Sequence, residues 1–154
     1  MGNEPQKIIA VIGGREAGPG LLVEAENAGR LIALAGSVLA TGGLGGIMEA
    51  ASRGAKQAGG LTLGILPGED KGAANPYVDV PVATGFGVGR NIVLVRTADA
   101  LIAMGGQYGT LSEIAYALQM GKPVFGVGTW DIDGVIPVSS AEEAVGLALK
   151  RLIP

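Results

Sequence analysis

Residues 7–13 form a near-continuous apolar run that ends in Gly13-Gly14, the pattern of a strand buried on both faces of a parallel sheet. Behind it, Leu21, Leu22, Ala25, Ala28, Leu31, Ile32 and Ala35 recur at spacings of three and four, which predicts a helix closed by Gly36. A short strand over 38–41, a glycine loop over 42–46 and a helix over 47–58 stopped by Gly59-Gly60 complete a second unit. The alternation continues with a strand over 61–65, a surface loop over 67–76 and a strand over 78–83. Gly85 to Gly89 then precedes an amphipathic stretch over 90–97. A strand over 100–104, a glycine turn, a helix over 110–120 closed by Gly121 and a strand over 123–127 follow. Ser140-Ala-Glu-Glu143 opens a last helix as a capping box, with Ser140 its N-cap. Alternating strands and helices with short connections predict an α/β fold: a Rossmann-like open parallel sheet, right-handed in its crossovers, with helices on both faces. No repeat or linker divides residues 1–154, so one domain is expected, with function at the carboxyl edge of its sheet.

Composition narrows the chemistry. Hydrophobic residues are 48%, charged residues 16% and the mean hydropathy +0.43, enough apolar material for a core and incompatible with disorder. Glycine is 28 of 154 residues while aromatics are 4%, so a ligand is expected to be held by backbone amides rather than an aromatic cage. With no histidine and no cysteine, Ser-His-Asp and Cys-His nucleophiles and zinc sites built on those residues are excluded. No metal site is expected, and acid–base chemistry falls to a carboxylate. A net charge of −3 without a Lys or Arg run disfavours nucleic acid. The uncharged stretch 31–48 is broken by glycines and is no membrane span; the apolar run 8–14 has no signal-peptide pattern. A cytoplasmic location is therefore expected.

Four glycine-bearing connections leave strand ends: Gly13-Gly14; Gly42, Gly43, Gly45 and Gly46; Gly85 to Gly89; and Gly105, Gly106 and Gly109. Glycine lets amides approach an anion, and each following helix adds unpaired N–H groups, so such an edge suits phosphate. Any single loop is explained more often by tight turns and close packing than by a ligand; four together favour a phosphorylated small molecule. Neither G-x-x-x-x-G-K-[ST] nor G-x-G-x-x-G follows the first strand, which weakens ordinary triphosphatase and dinucleotide readings. The most pointed segment is Gly105-Gly106-Gln107-Tyr108-Gly109-Thr110-Leu-Ser-Glu113. Thr110 and Glu113 have capping-box spacing, so Glu113 reads equally as a cap partner or a catalytic carboxylate.

That segment resembles the P-G-G-x-G-T-x-x-E motif of the Lonely Guy (LOG) phosphoribohydrolase family, also called lysine decarboxylase-like, with Gly109, Thr110 and Glu113 matching. Thr41-Gly-Gly-Leu-Gly-Gly-Ile-Met48 is similar to the family's G-G-G-x-x-G-L-M motif, and Gly89-Arg90-Asn91 falls where the family has Arg-Lys. In overall look the chain is nearer still to small bacterial relatives and molybdenum cofactor carrier proteins of the same superfamily. Here the motif proline is Gly105, its second glycine is Gln107, and the lysine after Arg90 is Asn91.

The resemblance implies a LOG-like nucleotide-binding domain with Glu113 and Arg90 as its catalytic pair. It places phosphate on Gly105, Gly106, Gln107, Tyr108, Gly109 and Thr110, and the rest of the ligand along Gly13, Gly14, Gly42, Gly43, Gly45, Gly46 and Met48. Met48 and Glu49 are candidates to border the base, Met48 doubling as core. One reading is hydrolysis of the N-glycosidic bond of nucleoside 5′-monophosphates, with Glu113 stabilising the oxocarbenium-like transition state or activating water. The alternative is a non-catalytic carrier or sensor of a phosphorylated pterin (molybdenum cofactor) or nucleotide. No cofactor is required by the first reading; a bound nucleotide or molybdenum cofactor is compatible with the second. Pyridoxal phosphate chemistry is rejected, because no lysine lies in the Gly105–Glu113 segment. The apolar residues Ile114, Ala115, Ala117, Leu118 and Met120 suggest a homodimer or tetramer.

Overall fold

The computed structural model describes residues 2–153. Its centre is a seven-stranded sheet in the order β4-β3-β2-β1-β5-β6-β7, every neighbouring pair parallel. The strands are β1 (Ile8–Gly13), β2 (Val38–Thr41), β3 (Thr62–Leu66), β4 (Val80–Ala83), β5 (Ala100–Met104), β6 (Val124–Val127) and β7 (Ile136–Pro137). Helices α1 (Pro19–Leu34), α2 (Ile47–Gln57), α3 (Arg90–Thr97), α4 (Tyr108–Gln119) and α5 (Ala141–Leu152) connect them. The α/β, Rossmann-like reading of the sequence holds.

The alternation along β1 builds two separate cores. Ile9 and Val11 join Ala25, Ala28 and Ile32 of α1, Ile47 and Ala51 of α2 and Ala144 and Val145 of α5 on one face. Ala10 and Ile12 join Leu94 and Val95 of α3 and Ile114 and Ala117 of α4 on the other. The side chains of Ile9 to Ile12 are thereby removed from water, a gain of roughly 1.5–3 kcal/mol for a large aliphatic one. Most of the apolar residues of α4 are consumed in this way. Ile114 and Ala117 are fully buried, and Leu118 and Met120 pack against the same cluster, which leaves Ala115 and Tyr116 facing outward.

Several boundaries differ from the sequence expectation for local reasons. Strand β4 begins at Val80 rather than 78, because Val78 N–H closes a turn on the Asn75 carbonyl and Asp79 N–H donates to the Thr62 hydroxyl at 2.8 Å. Within 67–76, Lys71–Ala73 forms a 3₁₀ turn capped by Asp70, whose carboxylate accepts from Gly72 N–H. Strand β7 has two residues, one a proline at the sheet edge, too short for any periodicity to register. Ser140 is the N-cap of α5 as expected, accepting from Glu143 N–H at 3.1 Å. The reciprocal arm of that box is displaced by one residue, since the Glu143 carboxylate accepts from the N–H and hydroxyl of Ser139.

The chain runs outward from β1 to β4 and returns to β5 on the other side of β1. Between β1 and β5 the direction of winding reverses, and a crevice opens there beyond the carboxyl ends of the strands.

Candidate functional site

The crevice holds a cavity of about 610 Å³. The turn after β1 supplies Gly13, Gly14 and Arg15, the turn after β2 supplies Gly42, and the turn after β5 supplies Gly106, Gln107 and Gly109. Arg90 and Asn91 enter from the start of α3, Met48 from the first turn of α2, and Thr110 and Glu113 from α4.

Helix α4 begins at Tyr108, two residues before the expected start, with Gln107 as an N-cap that makes no side-chain capping bond. This overturns the capping-box reading of Thr110 and Glu113, because Thr110 is the third helical residue and Glu113 lies most of a further turn along. The first-turn amides of α4 therefore have neither an intrahelical acceptor nor a side-chain cap, and they face the cavity with the positive end of the helix dipole. Gly106, at φ +92°, is packed so closely over Thr110 that a β-carbon would strike its hydroxyl. The turn is held from outside: Thr129 Oγ1 donates to the Gly105 carbonyl at 2.6 Å, and Trp130 Nε1 donates to the Gln107 carbonyl at 3.1 Å.

Glu113 and Arg90 face the same cavity without touching. The ion pairs among the described residues are Arg53–Glu26 and Lys56–Asp79, so the carboxylate and guanidinium leave space between them. Glu113 is buried, 6% exposed, and desolvation pushes its carboxyl up to about 7 against a weaker opposing pull from Arg90. Desolvation also draws Arg90 below its ordinary value, Glu113 opposing and Arg15 reinforcing the shift, although a guanidinium stays charged at neutral pH. Arg90 Nε is buried without a hydrogen-bond partner, the one such side-chain atom among the described residues. A buried, desolvated cation with an unused donor, beside a helix N-terminus, forms a receptor for an anion.

Gly42 matters here through what it leaves empty. A β-carbon at this position would strike Arg90 Nη1 and lie 2.8 Å from Met48 Sδ, so glycine lets the guanidinium lie against the β2 turn. Asn91, 8% exposed, donates through Nδ2 to Ser112 Oγ at 3.1 Å, and Ser112 donates to the Gly109 carbonyl at 2.7 Å. This chain of bonds ties the start of α3 to the first turn of α4, fixing Arg90 relative to the amides.

Of the residues singled out from sequence, Gly13, Gly14, Gly42, Met48, Arg90, Gly106, Gln107, Gly109, Thr110 and Glu113 line this cavity. Six others do not. Gly43 packs on Leu66 and Gly46 on the Arg15 carbonyl, closing the β2–α2 turn, while Gly105 packs on Leu21. Gly45 and Glu49 line a neighbouring cavity instead. Tyr108 is 80% exposed, its ring 6.3 Å from that of Trp130. Arg15, Glu16 and Pro67 line the main cavity from outside the stretches singled out, while Gly87, Val88 and Asn91 come from stretches noted in the sequence but not assigned to the ligand. The position of Arg15 directly after Gly13-Gly14 was the available signal for the most consequential of them.

The chain is 44% identical to an uncharacterized protein of Archaeoglobus fulgidus over 94% of its own length and 96% of that protein. In structure it is similar to the molybdenum cofactor binding protein of the phototrophic bacterium Rippkaea orientalis, with a TM-score of 0.93 and 39% identity over 98% of this chain and all of that one. It is also similar to the molybdenum cofactor carrier protein of Chlamydomonas reinhardtii, with a TM-score of 0.85 and 33% identity over 96% and 99% of the two chains. The family model matches residues 6–149, and the chain belongs to the SLOG cluster4 family, within the LOG-like superfamily.

Proposed function

We propose that the protein binds the phosphorylated pterin of the molybdenum cofactor in the cavity at the β1/β5 switch point and holds it as a carrier. The observation that carries this reading is the buried, unpartnered Arg90 Nε beside the uncapped first turn of α4. Such a pair needs an anion with several acceptor oxygens, which a phosphate supplies. The similarity to two molybdenum cofactor-binding proteins over nearly the whole chain supports that cofactor as the cargo. The residues present fit it: amides and Thr110 take the phosphate, Arg90 compensates its charge, and Met48 with Gly13, Gly14 and Gly42 borders the space left for the pterin.

A second reading is supported by one observation. Glu113 stands across the cavity from Arg90 with its carboxyl near 7, so it can hold or give a proton at neutral pH as N-glycosidic cleavage requires. On this reading the substrate is a nucleoside 5′-monophosphate. Assembly into a homodimer or tetramer is proposed with either reading, and sedimentation of the purified chain measures it.

The two readings separate in one experiment. Purified protein is mixed anaerobically with molybdenum cofactor, passed through gel filtration, and assayed for co-eluting molybdenum and oxidised pterin. In parallel it is incubated with AMP and GMP, and free base and ribose 5-phosphate are measured. Co-elution without base release is the expected result. Base release that disappears in Glu113→Gln would replace the carrier reading with the hydrolase.

A further inference from the structure

A second cavity of about 510 Å³ adjoins the first, and Arg15 and Pro67 line both. Each cavity is of a size that takes one small ligand moiety. Arg15 stands exposed to solvent at their junction, with no ion-pair partner among the described residues, and its charge is felt at Arg90. The floor of the second cavity is built: Asn75 donates through Nδ2 to the Gly43 and Leu44 carbonyls at 3.3 and 2.9 Å and accepts from Tyr77 N–H at 3.0 Å. Its side-chain groups are thus committed to holding the loop. Glu49, the other polar side chain on this wall, makes no ion pair among the described residues.

We infer that the ligand spans both cavities: a heterocycle joined through a diphosphate to a nucleoside, with the diphosphate passing Arg15 and the second base seated beside Glu49. This rests on the reading that the first cavity holds a phosphorylated heterocycle, and it specifies the class of that ligand. A diphosphate carries the additional negative charge that an unpaired guanidinium at the junction can meet. A carboxylate is acceptor-only when ionised, so the base beside Glu49 is one that offers N–H donors along an edge, as guanine does.

The test compares GMP with diguanosine 5′,5′-diphosphate by calorimetric titration of the full chain. The diphosphate is expected to bind at least about tenfold more tightly than GMP. Ala73→Phe and, from a different part of the wall, Gly68→Leu fill the second cavity; no atom lies within 4 Å of a β-carbon at Gly68, and its φ is not left-handed. Both variants should bring diphosphate affinity down to that of GMP and leave GMP affinity unchanged, with thermal unfolding confirming that each is folded. Equal affinity of the native chain for the two ligands, or filled variants that keep the tenfold preference, would overturn the inference alone. Failure of both ligands to bind would overturn it together with the nucleotide form of the first-cavity reading.

Discussion

Glycine performs opposite tasks in two regions of this molecule. Between α1 and α2 it permits backbone contact: a β-carbon at Gly29 would strike the Ala51 carbonyl, and one at Gly54 would strike the Glu26 carbonyl. At the cavity edge, a β-carbon at Gly109 would meet nothing within 4 Å, and one at Gly42 would meet the movable end of Arg90. The helix-pair glycines hold the fold together by letting two rigid backbones touch. Gly42 and Gly109 keep space open for something else, and the difference lies in what the absent side chain would collide with.

The largest test of that distinction is Gly29→Val. Neither backbone can move without separating α1 from α2, so a loss of more than about 3 kcal/mol is expected, read from the urea midpoint. At temperatures where the variant remains folded, ligand affinity should equal that of the native chain. An unchanged midpoint would show that the α1–α2 contact yields easily and would erase the contrast.

The same distinction explains what was legible in the sequence. Strands β2 and β5 and helix α3 lie where their apolar patterns placed them, because patterns of burial are local. The start of α4 was not legible: nothing in Gln107-Tyr108-Gly109 is a conventional cap, and the helix begins early because the turn is held from the β6–β7 loop through Thr129 and Trp130. Arg15, Pro67 and Val88 reach the cavity from irregular turns, whose directions are set by the sheet order and not by neighbouring residues. Gly43, Gly46 and Gly105 looked like ligand contacts because composition does not reveal whether a glycine faces a cavity or a neighbouring chain segment.

The second effect in size separates the buried site from the packing that surrounds it. Glu113 titrates near 7 in the folded chain against an ordinary 4.5. Below pH 4.5 its carboxyl is protonated in both states; between 4.5 and 7 the unfolded chain loses the proton first, so folding stability falls by about 3 kcal/mol as pH rises and is level above. Glu113→Gln is expected to flatten this slope and to be the more stable protein at pH 8, measured by urea unfolding across pH. A slope that survives in the variant would place the titration elsewhere. Anion affinity in the native chain should fall over the same interval, as the ionised carboxylate begins to oppose the phosphate.

Gly109→Trp sharpens the comparison from the other side. The position is open and its φ is not left-handed, so stability should change by less than about 1 kcal/mol while phosphate loses access to the first turn of α4. A fall of about 100-fold in GMP affinity is expected, equivalent to about 2.8 kcal/mol. A folded variant with native affinity would remove this turn from the site.

The smallest effect concerns how the edge is kept open. Backbone contact makes the helix pair rigid, whereas the α4 turn depends on single hydrogen bonds from outside it, of which Trp130 Nε1 to the Gln107 carbonyl is the most separable. Trp130→Phe retains an aromatic ring near Tyr108 and removes that donor together with a small part of the ring's packing against the second core. The turn carbonyl is exposed and can turn to water, so the cost should be about 1 kcal/mol or less in stability. Its effect on binding should be a fewfold loss, arising from amides no longer fixed in direction before the anion arrives. Hydrogen exchange at Gln107 to Thr110 provides the discriminating readout, since faster exchange confined to this turn, with α1 and α2 unchanged, means that orientation rather than global stability was lost. Uniformly faster exchange would instead make Trp130 part of the fold's common stability, and the two regions would then differ in what their glycines touch but not in how they are held.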